Sequence, residues 1–151
     1  MNPPLISERE NADSELQQVQ ARLEEIVAAS GRVQVAQDNL AAAQALARGH
    51  MADPKVRFLL LRLKEAGGLN EGMSEQWATL LRECPDDLEI VRYRATRLVK
   101  ERHVEDALAL VDRHLPASAE SPARLFARAK LLNDIRAVSY THLTLPTILL
   151  V

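Results

Sequence analysis

Histidine and cysteine are the side chains of this 151-residue chain best suited to bind metal ions or to act as nucleophiles. The four histidines, His50, His103, His114 and His142, show none of the spacings that place two imidazoles on one ion. Cys84 is the only cysteine, so the sequence allows no internal disulfide and no multi-cysteine site. The sequence therefore predicts no metal site and no cofactor.

Acidic pairs occur at Asp86 and Asp87 and again at Glu105 and Asp106. Each pair stands where a helix is predicted to begin, and carboxylates there cap free amides and face the positive end of the helix dipole. The glycine pair 67–68 lacks the surrounding residues of a phosphate-binding loop. We therefore expect no catalytic residue, and we expect that the chain is not an enzyme.

The composition favours closely packed helices. Aromatic residues make up 3% of the chain and hydrophobic residues 47%, so an all-α fold with an alanine- and leucine-rich core is expected. A net charge of −2 gives no general attraction to nucleic acid or to an anionic membrane. The first residues do not form a secretory signal, and no apolar run is long enough to span a bilayer. A cytoplasmic location without a membrane partner is expected.

Amphipathic helices are the elements that must position any functional side chain. Residues 1–13 are polar, and Pro3 and Pro4 argue against an early helix, so we expect a disordered lead-in. Beyond it, apolar residues recur every three or four positions, and Trp77 on such a stripe is expected to be core. The predicted helices span 14–29, 33–48, 54–66, 71–83, 87–100, 104–115 and 122–133.

The window from Pro85 to Pro116 predicts two short helices joined by a tight turn, each with one apolar stripe. One hairpin cannot bury both stripes, and similar residues recur 34 positions away in either direction. The window resembles the tetratricopeptide (TPR) repeat, which has this length and the pattern Trp-x2-Leu-Gly-x2-Tyr, then Ala-x3-Phe, then Pro. The residues in the six slots before the proline are Val91, Arg94, Ala95, Leu98, Ala107 and Val111.

Two departures from the repeat pattern are clear. Arg94 puts a charge in the leucine slot, and aliphatic residues replace every aromatic. The resemblance covers residues 14–136, the repeat domain. It implies an all-α stack of antiparallel helical hairpins, a TPR-like solenoid of about three and a half repeats.

The resemblance also implies a function, that of a scaffold binding a protein or peptide partner. In TPR proteins the first helices of successive repeats line a concave groove. Transferred through the alignment, that groove is rich in cations, which pair with carboxylates, so an acidic peptide is the expected ligand. The groove residues are Arg62, Arg92, Thr96, Lys100, Phe126, Lys130 and Asn133.

Two other interpretations remain open. The repeats could be the non-catalytic N-terminal region of a longer bacterial enzyme, such as a transferase, whose catalytic domain is missing. More helical repeats downstream of Arg136 favour the scaffold, whereas alternating strands and helices there favour the enzyme. Residues 14–47 alternatively predict a short coiled-coil dimer, because Leu16, Val19, Leu23 and Ile26 follow a coiled-coil-like spacing.

The last residues, 137–151, differ in composition from the rest, with threonine, valine and isoleucine and no charged side chain. Val138 to Thr147 resemble the translated read-through of a transposon-based sequencing adapter, and Ala137 and Val151 fit its flanking bases. We therefore expect a non-native tail, extended because Pro146 would interrupt a helix, and an authentic chain that ends near Arg136. The alternative is a true edge strand.

Overall fold

The computed structural model describes the backbone of residues 3–150 and the side chains of residues 8–138. In this part of the chain all regular structure is helical, as predicted, and no strand is present. The chain divides into two compact units, Met1–Glu83 with four helices and Cys84–Val151 with three. The helices are α1 (Pro3–Ala29), α2 (Val33–Ala47), α3 (Pro54–Ala66), α4 (Met73–Glu83), α5 (Leu88–Lys100), α6 (Val104–His114) and α7 (Pro122–Leu150).

In the first unit α3 is the central helix, and it contacts α1, α2 and α4. Small side chains on α2, buried at Ala36, Ala43 and Ala47, let the helices approach closely. Because α4 covers another side of α3, seven residues of α3 are buried. The core shared by α1, α2 and α3 consists of Leu23, Ala36, Ala43, Ala47, Val56, Leu59, Leu60 and Leu63.

Trp77 fills the space between α3 and α4. Its side chain is 1% exposed, which confirms the predicted core position. The indole meets the ring of Phe58 edge to face, with centroids 5.9 Å apart, and its Nε1–H donates to the carboxylate of Glu65. Large rings contribute strongly to burial in a chain with few aromatics.

In the second unit α5, α6 and α7 all contact one another. Two arginines of α7 hold the end of α6: Arg124 donates to the carbonyl of His114 at 2.7 Å and Arg128 to that of Leu115 at 2.7 Å. Carbonyls at a helix C-terminus have no partner within the helix, so these cations satisfy them. The buried apolar residues of the unit are Ile90, Val91, Ala95, Val99, Ala107, Val111, Leu115, Leu131 and Ile135.

Helix starts recur at intervals of 34 residues. Asp53, Asp87 and Ser121 each precede a helix, and each side chain accepts a hydrogen bond from the backbone amide three residues further on, at 3.1, 3.3 and 3.5 Å. Such caps satisfy amides that lack a partner within the helix. The first helical residue is therefore set by the same device at α3, α5 and α7.

Two helix ends also recur at this interval. α3 ends at Gly68 with φ of 75° and α5 at Arg102 with φ of 68°. In both, this residue's amide donates to the carbonyl three residues back at 3.0 Å, and the next amide donates to the carbonyl five residues back, at 2.9 and 2.8 Å. This pair of bonds defines the Schellman motif. Arg102 is the only non-glycine residue with positive φ in the described chain.

Both chain ends differ from the prediction. α1 begins at Pro3, so residues 3–13 are helical where a disordered lead-in was expected; Met1 and Asn2 lie outside the described residues. Prolines are tolerated in the first turn of a helix, because amides there have no acceptor within the helix. Pro3 and Pro4 were therefore wrongly taken as an obstacle.

At the other end α7 continues to Leu150, so the expectations of a turn after residue 133, of an extended tail and of an edge strand were all wrong. Leu131 and Ile135, four residues apart, are both buried, and the helical period therefore continues past residue 133. Pro146 removes one backbone hydrogen bond without ending the helix. The side chains of residues 139–150, and all of Val151, lie outside the described residues. The resemblance to an adapter concerns codons, and it stays a prediction.

Candidate peptide-binding surface

The predicted groove residues of α5 form one exposed stripe. Arg92, Thr96 and Lys100 follow one another at intervals of four residues, and all three are exposed. The core side of the helix holds Val91 and Ala95, which are buried. Because burial of this apolar side fixes the rotation of the helix, the polar stripe faces solvent.

The predicted residues of α7 form a second exposed stripe. Phe126 is 71% exposed, and Lys130 and Asn133 are exposed as well. The opposite side of α7 carries Leu131 and Ile135, both buried. A phenylalanine this exposed is unusual in a chain with so few aromatic residues, since burial of a ring is strongly favourable.

The two helices that carry these stripes contact each other within the second unit. None of the six side chains forms an ion pair or a side-chain hydrogen bond with a described residue, so each is available to a ligand. The convergence of the six side chains on one ligand stays a prediction. We call them the α5–α7 surface: Arg92, Thr96, Lys100, Phe126, Lys130 and Asn133.

The charge of the α5–α7 surface is positive but not uniform. Glu89 is exposed and lies three residues before Arg92, on the same side of α5. Arg97, by contrast, pairs with Glu101 at 3.0 Å and is partly shielded from solvent. Three cations therefore remain available on the surface against one carboxylate.

Arg62, the seventh predicted residue, has a different environment. It lies in the first unit, is only partly exposed, and its guanidinium sits 5.5 Å from the centroid of the Phe58 ring. A cation over an aromatic face is already stabilised by the ring. Arg62 therefore makes a contact within its own unit, and its part in a groove stays a prediction.

Sequence reasoning did not find a cleft between α3 and α4, which we call the α3–α4 cleft. It has a volume of about 270 Å³. Apolar and charged residues both line it, a combination that typifies small-molecule sites. Its lining is Met51, Arg57, Leu60, Leu61, Lys64, Glu75, Gln76, Thr79 and Leu80. The only sequence signal was the recurrence of residues 57, 60, 61 and 64 on one side of α3.

A more open cavity, of about 460 Å³, lies beside the start of α5 and the end of α6. Its charged groups hold the chain together: Arg124 pairs with Asp86 at 3.4 Å, and His114 Nδ1 lies 3.1 Å from the carbonyl oxygen of Pro85. Of the two carboxylates expected to cap α5, only Asp87 accepts hydrogen bonds from its first amides. Asp86 instead binds α7.

Within the side chains that the structure describes, no three histidine, cysteine or acidic residues are grouped so that they could hold a metal ion. None of the described helices combines the length and the apolar character needed to cross a membrane. No protein-family model, curated protein or solved structure matches this chain. A function must therefore be inferred from the side chains and their arrangement.

Proposed function

We propose that this chain is a TPR-like helical repeat scaffold that binds an acidic peptide through the α5–α7 surface. The observation that carries the proposal is the pair of exposed stripes on two contacting helices, with three available cations and one exposed aromatic ring. Cationic side chains without partners in the folded chain are suited to bind carboxylates.

Two regularities support a repeat architecture. The caps before α3, α5 and α7 recur every 34 residues, the length of a TPR repeat. Within each unit, helices that are next but one in the chain contact each other, α1 with α3 and α5 with α7. A stack of helical hairpins requires such contacts, because the first helix of each hairpin packs on the first helix of the next.

The six side chains divide into three kinds of contact with a peptide. Arg92, Lys100 and Lys130 pair with its carboxylates, and Phe126 packs against an apolar side chain. Thr96 and Asn133 can hydrogen-bond its backbone. Because all of these groups are exposed, each ion pair contributes little, roughly 0.2–1 kcal/mol. We expect weak, salt-sensitive binding.

Fluorescence anisotropy with a labelled short peptide of aspartate, glutamate and one leucine tests the proposal. Raising salt toward about 1 M shortens the Debye length to about 3 Å and should weaken binding strongly. The double variant Arg92→Glu/Lys100→Glu should weaken binding by about tenfold, since two attractive pairs become repulsive. Circular dichroism should show unchanged helicity.

The control is Arg9→Glu/Arg48→Glu, which reverses the same number of charges at exposed positions of the first unit. It should change the affinity by less than about twofold, because these charges lie outside the α5–α7 surface. If both double variants weaken binding equally, the peptide responds only to net charge, and the proposed surface is wrong. Absence of binding to the unmodified chain at low salt also contradicts the proposal.

A further inference from the structure

The α3–α4 cleft of the first unit has an apolar floor. Leu60, Leu61 and Leu80 line it and are at most 4% exposed, while Met51 at its mouth is 47% exposed. Its volume of about 270 Å³ is below the range of about 300–1,000 Å³ typical of sites for drug-sized ligands. A ligand of this cleft must therefore be small and partly apolar.

Two side-chain contacts fix how α3 and α4 align. Glu65 near the end of α3 bonds Trp77 near the start of α4, and Arg57 near the start of α3 pairs with Glu83 at the end of α4. The helices are therefore antiparallel. The C-terminal end of α3 lies level with the N-terminal end of α4, and the leucine floor lies between the two contacts.

The two ends of the cleft differ in charge. At one end Arg57 is neutralised by Glu83. At the other end Lys64 of α3 and Glu75 of α4 line the cleft, and neither forms an ion pair with a described side chain. One available cation and one available anion therefore border the same end of an apolar cavity.

We propose that the α3–α4 cleft binds a free α-amino acid with an aliphatic side chain. Its carboxylate pairs with Lys64, its ammonium group pairs with Glu75, and its side chain lies on the leucine floor. The amide of Gln76, which also lines this end, can donate to the carboxylate or accept from the ammonium group.

Charge complementarity selects this ligand over simpler ones. A fatty carboxylate satisfies Lys64 but brings an anion close to Glu75, and an alkylamine does the reverse. A zwitterion satisfies both charges at once, and its small size matches the volume of the cleft. Both opposite charges at one end thus acquire a role that neither ligand of single charge explains.

Isothermal titration of the full chain with L-leucine tests the proposal, with ligand-observed NMR for weak binding. We expect a dissociation constant in the millimolar range or tighter. Two analogues, 4-methylpentanoate without the ammonium group and 3-methylbutylamine without the carboxylate, should each bind about fivefold more weakly, the worth of one partly exposed ion pair. Glycine, which lacks the side chain, should bind at least about tenfold more weakly.

Variants locate the site. Lys64→Met and Glu75→Gln should each weaken L-leucine binding by about fivefold. Glu71→Gln and Lys130→Met are the controls, since both residues are exposed and neither lines the cleft. If Lys64→Met loses helicity, Lys64→Gln replaces it. No binding of L-leucine, equal binding to the double variant Lys64→Met/Glu75→Gln, or tighter binding of 4-methylpentanoate than of L-leucine would each overturn the proposal.

Discussion

The indole Nε1–H of Trp77 donates a 2.7 Å hydrogen bond to Oε1 of Glu65, and both side chains are buried. A carboxylate inside a protein is costly unless hydrogen bonds satisfy it, so this bond lets α3 carry a glutamate against α4. The positions 34 residues further along are Val99 and Val111, which are buried as well. Equivalent positions of successive hairpins are therefore filled by a polar pair in one unit and an apolar pair in the other.

Replacement of Trp77 should show how ring and hydrogen bond share this stabilisation. Trp77→Ala removes both and should lower the free energy of unfolding by roughly 3–5 kcal/mol. Trp77→Phe keeps most of the ring but loses the donor, and should cost about 1–3 kcal/mol. Urea denaturation followed by circular dichroism measures both values. A cost below about 1 kcal/mol for Trp77→Ala would contradict a core position.

Substitution of Gly68 tests the recurrent helix end. A Cβ atom at Gly68 would meet nothing within 4 Å, but its φ is +75°. Gly68→Ala should therefore cost about 1 kcal/mol through backbone strain alone, without a steric clash. Arg102, which has the same conformation, should become more stable as glycine by a similar or smaller amount. Thermal unfolding measures these changes.

Gly31 is the matched control for Gly68. A Cβ there also meets nothing within 4 Å, and its φ lies outside the left-handed range. Gly31→Ala should be neutral or stabilise by up to about 1 kcal/mol, because alanine restricts the unfolded chain. Equal destabilisation at Gly31 and Gly68 would show that the left-handed conformation is not the cause.

The helices could be predicted from local signals because those signals coincide here. Asp53 followed by Pro54 marks the start of α3, and Gly67 with Gly68 marks its end, both by short-range backbone chemistry. The chain ends were mispredicted because proline was weighed without its position in the helix. Burial of Glu65 was not predicted either, since it depends on Trp77, twelve residues away, on another helix.

Arg128 should stabilise the second unit through two contacts. It donates to the carbonyl of Leu115 at 2.7 Å and pairs with Asp112 at 2.8 Å, and its side chain is largely shielded from solvent. Arg128→Met keeps the apolar stem and should lower the free energy of unfolding by about 1–3 kcal/mol. Lys130→Met, an exposed cation of the same helix, is the control and should change it by less than about 0.5 kcal/mol. Equal effects would assign the loss to helix propensity or net charge.

The candidate sites were less predictable than the fold, for a physical reason. Arg92, Thr96 and Lys100 can be placed on one stripe from their spacing, because a helix repeats every 3.6 residues. The α3–α4 cleft needs the alignment of two helices, which long-range contacts such as Arg57 with Glu83 determine. Spacing within one helix contains no information about that alignment, so Lys64 and Glu75 were not singled out.

The ion pair of Arg57 and Glu83 should make stability depend on pH. A hydrogen bond from Arg57 is the largest influence on the pKa of Glu83, and it holds this pKa below its ordinary value despite some desolvation. A carboxyl whose native pKa is lowered stabilises the fold above the unfolded pKa, about 4.3 for glutamate. That stabilisation is lost as the pH falls through the lowered native pKa. The difference in melting temperature between the unmodified chain and Glu83→Gln should therefore be largest near neutral pH.

Thermal unfolding of both proteins between about pH 7 and pH 3 measures this dependence across the titration of glutamate. Other carboxylates titrate in both proteins, so only the difference between them reports on Glu83. Glu71→Gln is the control, because Glu71 is exposed and forms no ion pair with a described side chain. Its difference from the unmodified chain should stay constant across the range. A difference for Glu83→Gln that grows as the pH falls would mean that the charged form is disfavoured in the fold, opposite to the effect expected from Arg57.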